Sequence, residues 1–158
     1  MRLGLWNFVD LETYLKNVGV WYRFYEKPET VHTVDASRVT GIELNRITKN
    51  LVCRMSDGRF ALLVVAGDRK VNLQSAAEVL GVRNIQLLEF DEAESISGYP
   101  PGGTPSVHHR TPLQVVIDKQ LLTGETVFCG GGTRSRLLEL RVADILKLSS
   151  ALTGSISQ

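Results

Sequence analysis

The segment ITKNLVCRMSDGRFALLVVAG, residues 47–67, contains two apolar runs separated by a short polar turn. Both runs are rich in β-branched and aliphatic residues, which favour strands. Asp57 and Gly58 between them supply the positive φ that a tight hairpin requires. The segment therefore predicts a β-hairpin with strands at 47–55 and 59–67.

Helices are predicted where a polar capping residue precedes apolar residues at helical spacing and a glycine follows. Asp10 and Asn72 begin two such helices, which end at Gly19 and Gly81. Shorter helices are predicted at 33–41, 91–97 and 143–152, and further strands at 18–26, 85–90, 113–118 and 125–131. The segment 136–142 fits either a strand or a helix, and the tail 153–158 is predicted to be frayed.

Short strands interleaved with short helices and hairpins predict a mixed α+β fold, in a single domain that spans residues 1–158. The chain has 158 residues, 43% of them hydrophobic and 22% charged, which is sufficient for a globular core and excludes wholesale disorder. The net charge of +1 excludes a protein that coats long stretches of nucleic acid, whereas a small local contact with RNA is compatible with it.

The sequence lacks the run of about 18 apolar residues that a membrane-spanning helix needs. Acidic residues follow the N-terminal MRLGLWNFV too early for a signal-peptide core, so the protein is predicted to be cytoplasmic. His32, His108 and His109 show no metal-binding spacing, and phosphate-loop and dinucleotide fingerprints are absent. Neither a metal nor a cofactor is therefore predicted.

Cys53 and Cys129 lie in apolar runs and lack CxxC spacing, which is typical of buried structural cysteines. A catalytic thiol at Cys129, immediately before three glycines, is the alternative interpretation. A Ser-His-Asp hydrolase is not expected, because no Gly-x-Ser-x-Gly motif is present.

Two glycine-rich segments are candidates for binding chemistry: SGYPPGGTPSVHH at 97–109 and GGG at 130–132. Glycine permits close backbone approach and proline fixes φ, so their alternation gives a shaped loop. Both segments border predicted strands, and their N–H groups are predicted to face one pocket and hold a phosphate, a carbonyl or an oxyanion. Taken alone, each segment is more typical of a turn.

Lys49 lies on the strand face that carries Leu51 and Cys53, an unfavourable place for an ammonium group. It is therefore either an edge residue whose ammonium reaches solvent or a functional cation in a pocket. Asp118 ends the apolar strand at 113–118, a position typical of functional carboxylates and of helix caps alike.

The order of these segments resembles one family. The lysine in ITKNLV, followed by ALLVVAGDRKVNLQSAAEVLGV, SGYPPGG, VVIDKQLL, VFCGGG and ADILKL, is the layout of the YbaK/ProX family, over residues of about 30–150. These proteins are aminoacyl-tRNA deacylases, similar to the editing domain inserted into bacterial prolyl-tRNA synthetase. The resemblance implies an α+β domain around a curved, largely antiparallel sheet. It also implies an enzyme that hydrolyses the ester of misacylated tRNA, namely Ala- or Cys-tRNA of the proline type.

The resemblance implies the site residues as well. Lys49 would bind the tRNA 3′ end, and N–H groups near Gly103 and Gly131 would support the carbonyl oxygen, while the ribose hydroxyl of the tRNA orients the water. The residues implied to bind substrate are His32, Gly98, Tyr99, Gly102, Thr104, Pro105, Asp118, Gly130 and Gly132. The segment 97–109 would form a stiff wall that excludes proline by its size. The implied partners are the acceptor end of misacylated tRNA and prolyl-tRNA synthetase, with neither membrane nor DNA.

The loop departs from the family pattern at two positions. The family has two glycines, two further residues and then proline, whereas here Pro105 comes one position early and Ser106 stands in the expected place. His108 replaces a customary small residue. These departures leave the amino-acid preference open. The alternative function is a non-catalytic module of the same fold that binds a tRNA end, a synthetase or a nucleotide.

Overall fold

The computed structural model describes residues 8–158, which contain five α-helices and eight β-strands. The helices are α1 (Leu11–Val18), α2 (Thr33–Thr40), α3 (Leu73–Leu80), α4 (Phe90–Ser97) and α5 (Val142–Ser149). The strands are β1 (Tyr22–Glu26), β2 (Thr48–Met55), β3 (Phe60–Ala66), β4 (Ile85–Leu87), β5 (Gln114–Asp118), β6 (Thr126–Gly130), β7 (Arg136–Arg141) and β8 (Leu152–Gly154). Short 3₁₀ turns precede β2 at Leu44–Arg46 and follow β5 at Lys119–Thr123.

The strands form two sheets. The smaller sheet has the order β1-β7-β6 and is antiparallel throughout. The larger sheet has the order β4-β2-β3-β5-β8, in which β4–β2 and β2–β3 are antiparallel and β3–β5 and β5–β8 are parallel. A bridge between Ile47 and Phe128 joins the two sheets. The predicted α+β fold, mixed but largely antiparallel and flanked by short helices, is confirmed.

Local sequence signals account for the hairpin and two of the helices. The β2–β3 hairpin forms as predicted, with its turn at residues 56–58. Asp10 and Asn72 cap α1 and α3, because their side chains accept hydrogen bonds from the N–H groups of Thr13 and Ser75 at 2.8 and 3.0 Å. These bonds satisfy N–H groups that have no partner within the first helical turn.

Apolar side chains cover both faces of the larger sheet. On the face toward the smaller sheet, Leu62 packs in one cluster with Leu138 and other fully buried residues. On the opposite face, Leu63 and Val65 pack in a second cluster with residues of α3. Because β3 is buried on both faces, its sequence FALLVVA is apolar at every position.

The C-terminal end differs from the sequence predictions. The ambiguous segment 136–142 forms β7, the middle strand of the smaller sheet. The closing helix ends at Ser149 instead of 152, where Ser150 adopts a left-handed conformation with φ of 49°. The prediction of a frayed tail is wrong, because β8 pairs with β5 and Ile156 is fully buried.

Residues 8–158 contain no helix that is long and apolar enough to cross a membrane. The prediction that no signal peptide is present concerns the N-terminus, and residues 1–7 lie outside the part of the chain that the structure describes.

Candidate functional site

A cavity of about 650 Å³ opens along one edge of β2, and residues of both sheets line it. β4 pairs with β2 only from Cys53 to Met55, so no strand within residues 8–158 covers the edge of β2 from Thr48 to Val52. The start of α2, the β4–α4 connection and parts of both glycine-rich segments complete the walls. Of the predicted site residues, those that line the cavity are His32, Lys49, Gly102, Thr104 and Gly130.

The rim of the cavity is apolar and exposed. Val34, Leu87 and Phe90 are lining residues that expose 51, 42 and 53% of their surfaces. A half-open apolar cavity with a few polar groups fits a small organic group carried by a larger molecule.

The backbone of Asn50 faces this cavity. The C=O of Val52 accepts a hydrogen bond from the N–H of Leu88 at 3.1 Å, on the side of β2 away from β3. Backbone groups alternate in direction along a strand, so the N–H and C=O of Asn50 also point away from β3. The open edge therefore presents a donor and an acceptor to a molecule in the cavity.

The side chain of Asn50 is held from both sides. Its Nδ2 donates to Oγ1 of Thr48 at 2.8 Å, and its Oδ1 accepts from Oγ of Ser106 at 2.5 Å. Thr48 in turn donates to the C=O of Phe128 in the smaller sheet at 3.3 Å. Ser106 is fully buried, so the residue that departs from the family pattern fixes the orientation of a cavity-lining amide.

Lys49 lies at the same edge, half-buried, with its side chain on the opposite face of β2 from that of Asn50. Its Nζ donates to the C=O of Arg69 at 2.7 Å. An ammonium group has three donors, so this bond leaves two for a ligand. β2 is an inner strand of its sheet, yet beside Lys49 its edge from Thr48 to Val52 is open and borders the cavity.

Lys27 lies at another wall of the cavity and was not predicted as a site residue from the sequence. It is buried, and its Nζ donates to Oγ1 of Thr30 at 2.7 Å and to the C=O of Arg134 at 2.5 Å. Burial lowers the pKa of this ammonium group. These bonds tie the end of β1 to the segment before β7. Nothing in the local sequence distinguishes Lys27 from a surface lysine after a strand.

The N-terminus of α2 forms a further part of the wall. His32 precedes the helix and is exposed, and within the described residues its side chain makes no capping hydrogen bond. The N–H groups of the first turn, from Thr33 to Asp35, have no acceptor within the helix and favour an anionic group near them.

The two glycine-rich segments pack against each other, and several of their N–H groups bond within the protein. The N–H of Gly103 donates to the C=O of Pro100 at 2.8 Å, and that of Gly131 donates to the C=O of Arg136 at 2.9 Å. Both donors are used within the protein, so of the N–H groups predicted near Gly103 and Gly131 to support the substrate carbonyl, those of these two residues themselves are not available. Gly132 likewise donates to the C=O of Gly103 at 2.9 Å.

Close approach of these segments explains their glycines. A Cβ added to Gly130 would lie 2.3 Å from the carbonyl carbon of Gly103. A Cβ added to Gly102, which has φ of 87°, would lie 2.8 Å from the carbonyl oxygen of Thr30. No side chain fits at either position, so the glycine-rich segments pack tightly against each other at Gly130 and against Thr30 and Val31 at Gly102, which forms one wall.

Several residues predicted to contact substrate lie outside the cavity lining, namely Gly98, Tyr99, Gly103, Pro105, Asp118, Gly131 and Gly132. Tyr99 is buried, and its hydroxyl donates to the C=O of His108 at 2.8 Å. Asp118 is also buried, and its carboxylate accepts hydrogen bonds from the C-terminal segment at Ile156 and Ser157. Both residues hold parts of the fold together and do not border the cavity.

His108 connects the glycine-rich loop to the N-terminal segment. Its ring stacks between those of Phe8 and Tyr14, at centroid distances of 4.4 and 4.3 Å. Its Nε2 lies 2.6 Å from the C=O of Val9. The departure from a small residue at this position therefore adds contacts behind the loop, away from the cavity.

Both cysteines are fully buried, and burial raises the pKa of the Cys129 thiol to about 11 and that of Cys53 to about 12. Such thiols stay protonated near neutral pH and are poor nucleophiles. The predicted burial of both cysteines is confirmed, and it argues against the alternative of a catalytic thiol at Cys129. Across residues 8–158, no three metal-ligating side chains are grouped so that they could hold a metal ion.

Most of the chain matches a known domain family. A model of the aminoacyl-tRNA editing domain matches residues 27–148. A protein of Enterococcus faecalis, provisionally named Cys-tRNA(Pro)/Cys-tRNA(Cys) deacylase EbsC, is 21% identical over 136 residues, which cover 86% of this chain and 83% of that protein. The proline–tRNA ligase of Cupriavidus necator is 26% identical over 110 residues, which cover 68% of this chain and 19% of the ligase.

Solved structures show the same fold. The crystal structure of a protein provisionally described as a trans-editing enzyme for prolyl tRNA synthetase matches with a TM-score of 0.83 and 27% identity, covering 94% of both chains. The crystal structure of the hypothetical protein APE2540 matches with a TM-score of 0.87 and 27% identity, covering 94% of this chain and 99% of that one.

Proposed function

The chain belongs to the aminoacyl-tRNA editing domain family, and on this premise we propose that it hydrolyses the ester bond of misacylated tRNA. The proposed substrates are Ala- and Cys-tRNA of the proline type, cleared in the cytoplasm alongside prolyl-tRNA synthetase. One observation carries the proposal: Lys49 and the outward-facing backbone of Asn50 meet at a single open strand edge, inside an apolar cavity.

Lys49 binds the 3′ end of the tRNA in this proposal. The bond to Arg69 leaves two ammonium donors, which suit a phosphate or a ribose oxygen. The free N–H groups at the start of α2 add positive potential to the same cavity. Because only the acceptor end is gripped, the net charge of +1 is sufficient.

Hydrolysis needs a water held against the ester carbonyl carbon and a donor for the oxygen that becomes negative. We assign the donor to the backbone N–H of Asn50, in place of Gly103 and Gly131. The ribose hydroxyl of the tRNA orients the water, which bonds to the carbonyl carbon as the ester C–O bond breaks. The proton that the water loses passes to the departing ribose oxygen. The protein supplies geometry and no nucleophile.

A rigid cavity wall provides discrimination against the correct product. Gly102 and Gly130 bring backbone against backbone, so this wall has little freedom to retreat from a larger aminoacyl group. A difference of one or two methylenes is worth only about 1–3 kcal/mol in binding, so exclusion by a stiff wall is the effective way to reject proline.

The test is deacylation of Ala-, Cys-, Ser- and Pro-tRNA of the proline type by the wild type, by Lys49→Ala and by Lys147→Ala as an exposed-lysine control. We expect the wild type to hydrolyse Ala- or Cys-tRNA and to spare Pro-tRNA. Lys49→Ala should lower kcat/KM by roughly 100-fold, because the substrate end loses its charged contact. Full activity of Lys49→Ala would contradict the proposal.

A non-catalytic module that binds the tRNA end is the second candidate. It is favoured by the internal hydrogen bonds of Gly103 and Gly131, which remove two donors from the family's expected set. It predicts that the wild type binds the acceptor end, that Lys49→Ala weakens this binding, and that none of the four species is hydrolysed. Fluorescence anisotropy with an acceptor-stem RNA, run beside the deacylation assay, distinguishes the two functions.

A further inference from the structure

The ammonium group of Lys49 is bonded to a backbone carbonyl, and a hydrogen-bond network from the C-terminal segment holds that carbonyl in place. We propose that Asp118 and Ser157 are positioning residues that set the location of the Lys49 ammonium through Arg69. The proposal rests on the function proposed above for Lys49. The sequence resemblance implied that Asp118 contacts the substrate, whereas in this proposal it helps to position Lys49.

A continuous chain of contacts leads from Lys49 to Asp118. The C=O of Arg69 accepts from Nζ of Lys49 at 2.7 Å, and Nε of Arg69 donates to Oγ of Ser157 at 2.6 Å. That hydroxyl donates in turn to Oδ2 of Asp118 at 2.5 Å. The serine hydroxyl therefore accepts from one ionic group and donates to another of opposite charge, which fixes its orientation.

Strand register places both ends of this network on one face of the larger sheet. Lys49 lies opposite Val65 in the β2–β3 pair, and Ile117 lies opposite Val64 in the β3–β5 pair. Asp118, the next residue, therefore falls beside Val65 and on the same face as Lys49. The network crosses from β5 to β2 over β3 without entering the cavity.

The C-terminal segment also clamps the backbone next to Arg69. Lys70 and Gln158 exchange both backbone hydrogen bonds, at 2.9 and 2.8 Å, and the N–H of Asn72 donates to the C=O of Ile156 at 2.7 Å. Oδ1 of Asp118 accepts from the N–H of Ile156 at 2.9 Å, and Asp118 is 1% exposed. A buried carboxylate needs such donors, so Asp118 fixes the segment and the segment fixes Arg69.

Loss of this support should act on catalysis through Lys49. A displacement of about 1 Å in a group that orients a substrate lowers the rate by up to about 100-fold. We expect Ser157→Ala, which removes the middle of the network, to lower kcat/KM on the order of tenfold. Ser157→Thr keeps the hydroxyl and should restore most of the activity.

The experiment combines activity with a direct signal from Lys49. The lysines are reductively methylated with ¹³C-formaldehyde, and the Lys49 signal in the ¹H–¹³C spectrum is assigned by its absence in Lys49→Arg. The wild type is compared with Ser157→Ala, Ser157→Thr and Ile145→Val. Ile145 is fully buried between the two sheets, on the other side of the larger sheet from the network, so its truncation controls for a general loss of stability.

The proposal expects Ser157→Ala to shift the Lys49 signal toward that of an exposed lysine and to lower activity, with Ser157→Thr restoring both and Ile145→Val changing neither. An unmoved Lys49 signal in Ser157→Ala would overturn it, as would a moved signal with unchanged activity. If the wild type hydrolyses no substrate, the proposed function fails, while the Lys49 signal still decides whether Ser157 positions this ammonium.

Discussion

The open edge of β2 and the two glycine-rich segments border the same cavity, yet their backbone groups are used in opposite ways. At the edge, the N–H and C=O of Asn50 face the cavity, because no strand in the described part of the chain covers β2 there. In the glycine-rich segments, the N–H groups of Gly103 and Gly131 bond within the protein. Gly103 and Gly131 thus serve close packing, while Asn50, an ordinary strand residue, offers a free donor.

A substitution that forces the two glycine-rich segments apart should have the largest effect on stability. Gly130→Ala would place a Cβ 2.3 Å from the carbonyl carbon of Gly103, a backbone atom that cannot yield alone. We expect the free energy of unfolding, measured by urea denaturation, to fall by about 3 kcal/mol. Gly124→Ala is the matched control, because the nearest atom to its Cβ would be 3.8 Å away. Similar stability in the two variants would show that the segments are not tightly packed.

The pH dependence of stability, a smaller effect, tests whether the glycine-rich segment 97–109 excludes water around His109. Burial lowers the pKa of His109 to about 4, and its Nε2 lies 2.8 Å from the C=O of Pro105. The unfolded chain binds a proton at His109 near pH 6.5, whereas the folded protein does so near pH 4. The unfolded state therefore binds more protons between these values, and stability falls as the pH decreases.

We expect the free energy of unfolding to drop by about 2 kcal/mol from pH 7 to pH 5 on account of this residue. Urea denaturation of His109→Gln at both pH values should show that this part of the pH dependence is lost. His32→Gln, at an exposed position, should keep it. A pH dependence in His109→Gln equal to that of the wild type would mean that water reaches this ring in the folded state.

The smallest effect on stability should come from the hydrogen bond that holds Asn50 at the open edge of β2. Ser106→Ala removes the hydroxyl that donates to Oδ1 of Asn50, and Asn50→Ala removes the acceptor. Each should lower the free energy of unfolding by about 1 kcal/mol, and the double variant should lose less than the sum, with a coupling energy of about 1 kcal/mol. Asn50→Ala combined with Thr40→Ala should be additive, because the Thr40 hydroxyl bonds to the backbone of Ala36 and Ile42 and shares no partner with Asn50. Additivity of Ser106→Ala and Asn50→Ala would show that the hydrogen bond does not hold Asn50.

The features that sequence predicted well are those fixed by neighbouring residues. The Asp57–Gly58 turn and the caps at Asp10 and Asn72 act within three or four positions, so the sequence pattern contains the whole interaction. Lys49 also stood out locally, because an ammonium group is unusual on a strand face shared with Leu51.

The features that sequence missed depend on residues far apart in the chain. Ile156 and Ser157 are ordered by Asp118, which precedes them by 38 and 39 positions. The backbone of Asn50 is free because the pairing of β2 with β4 ends at Cys53. The N–H group of Gly132 has its acceptor at Gly103 because segments far apart in the chain meet. No local pattern records these pairings.

The attachment of residues 152–158 also has a consequence for the order in which the protein is made. Arg69 and Ser157 are 88 positions apart, and ribosomes synthesise β2, β3 and Lys49 long before β8 emerges. Until then, the nascent chain carries an unpaired edge on β5, and contacts of such large sequence separation form slowly. We therefore expect the hydrogen-bond network that positions Lys49 to form last. The protein should become active only after residues 152–158 have been synthesised.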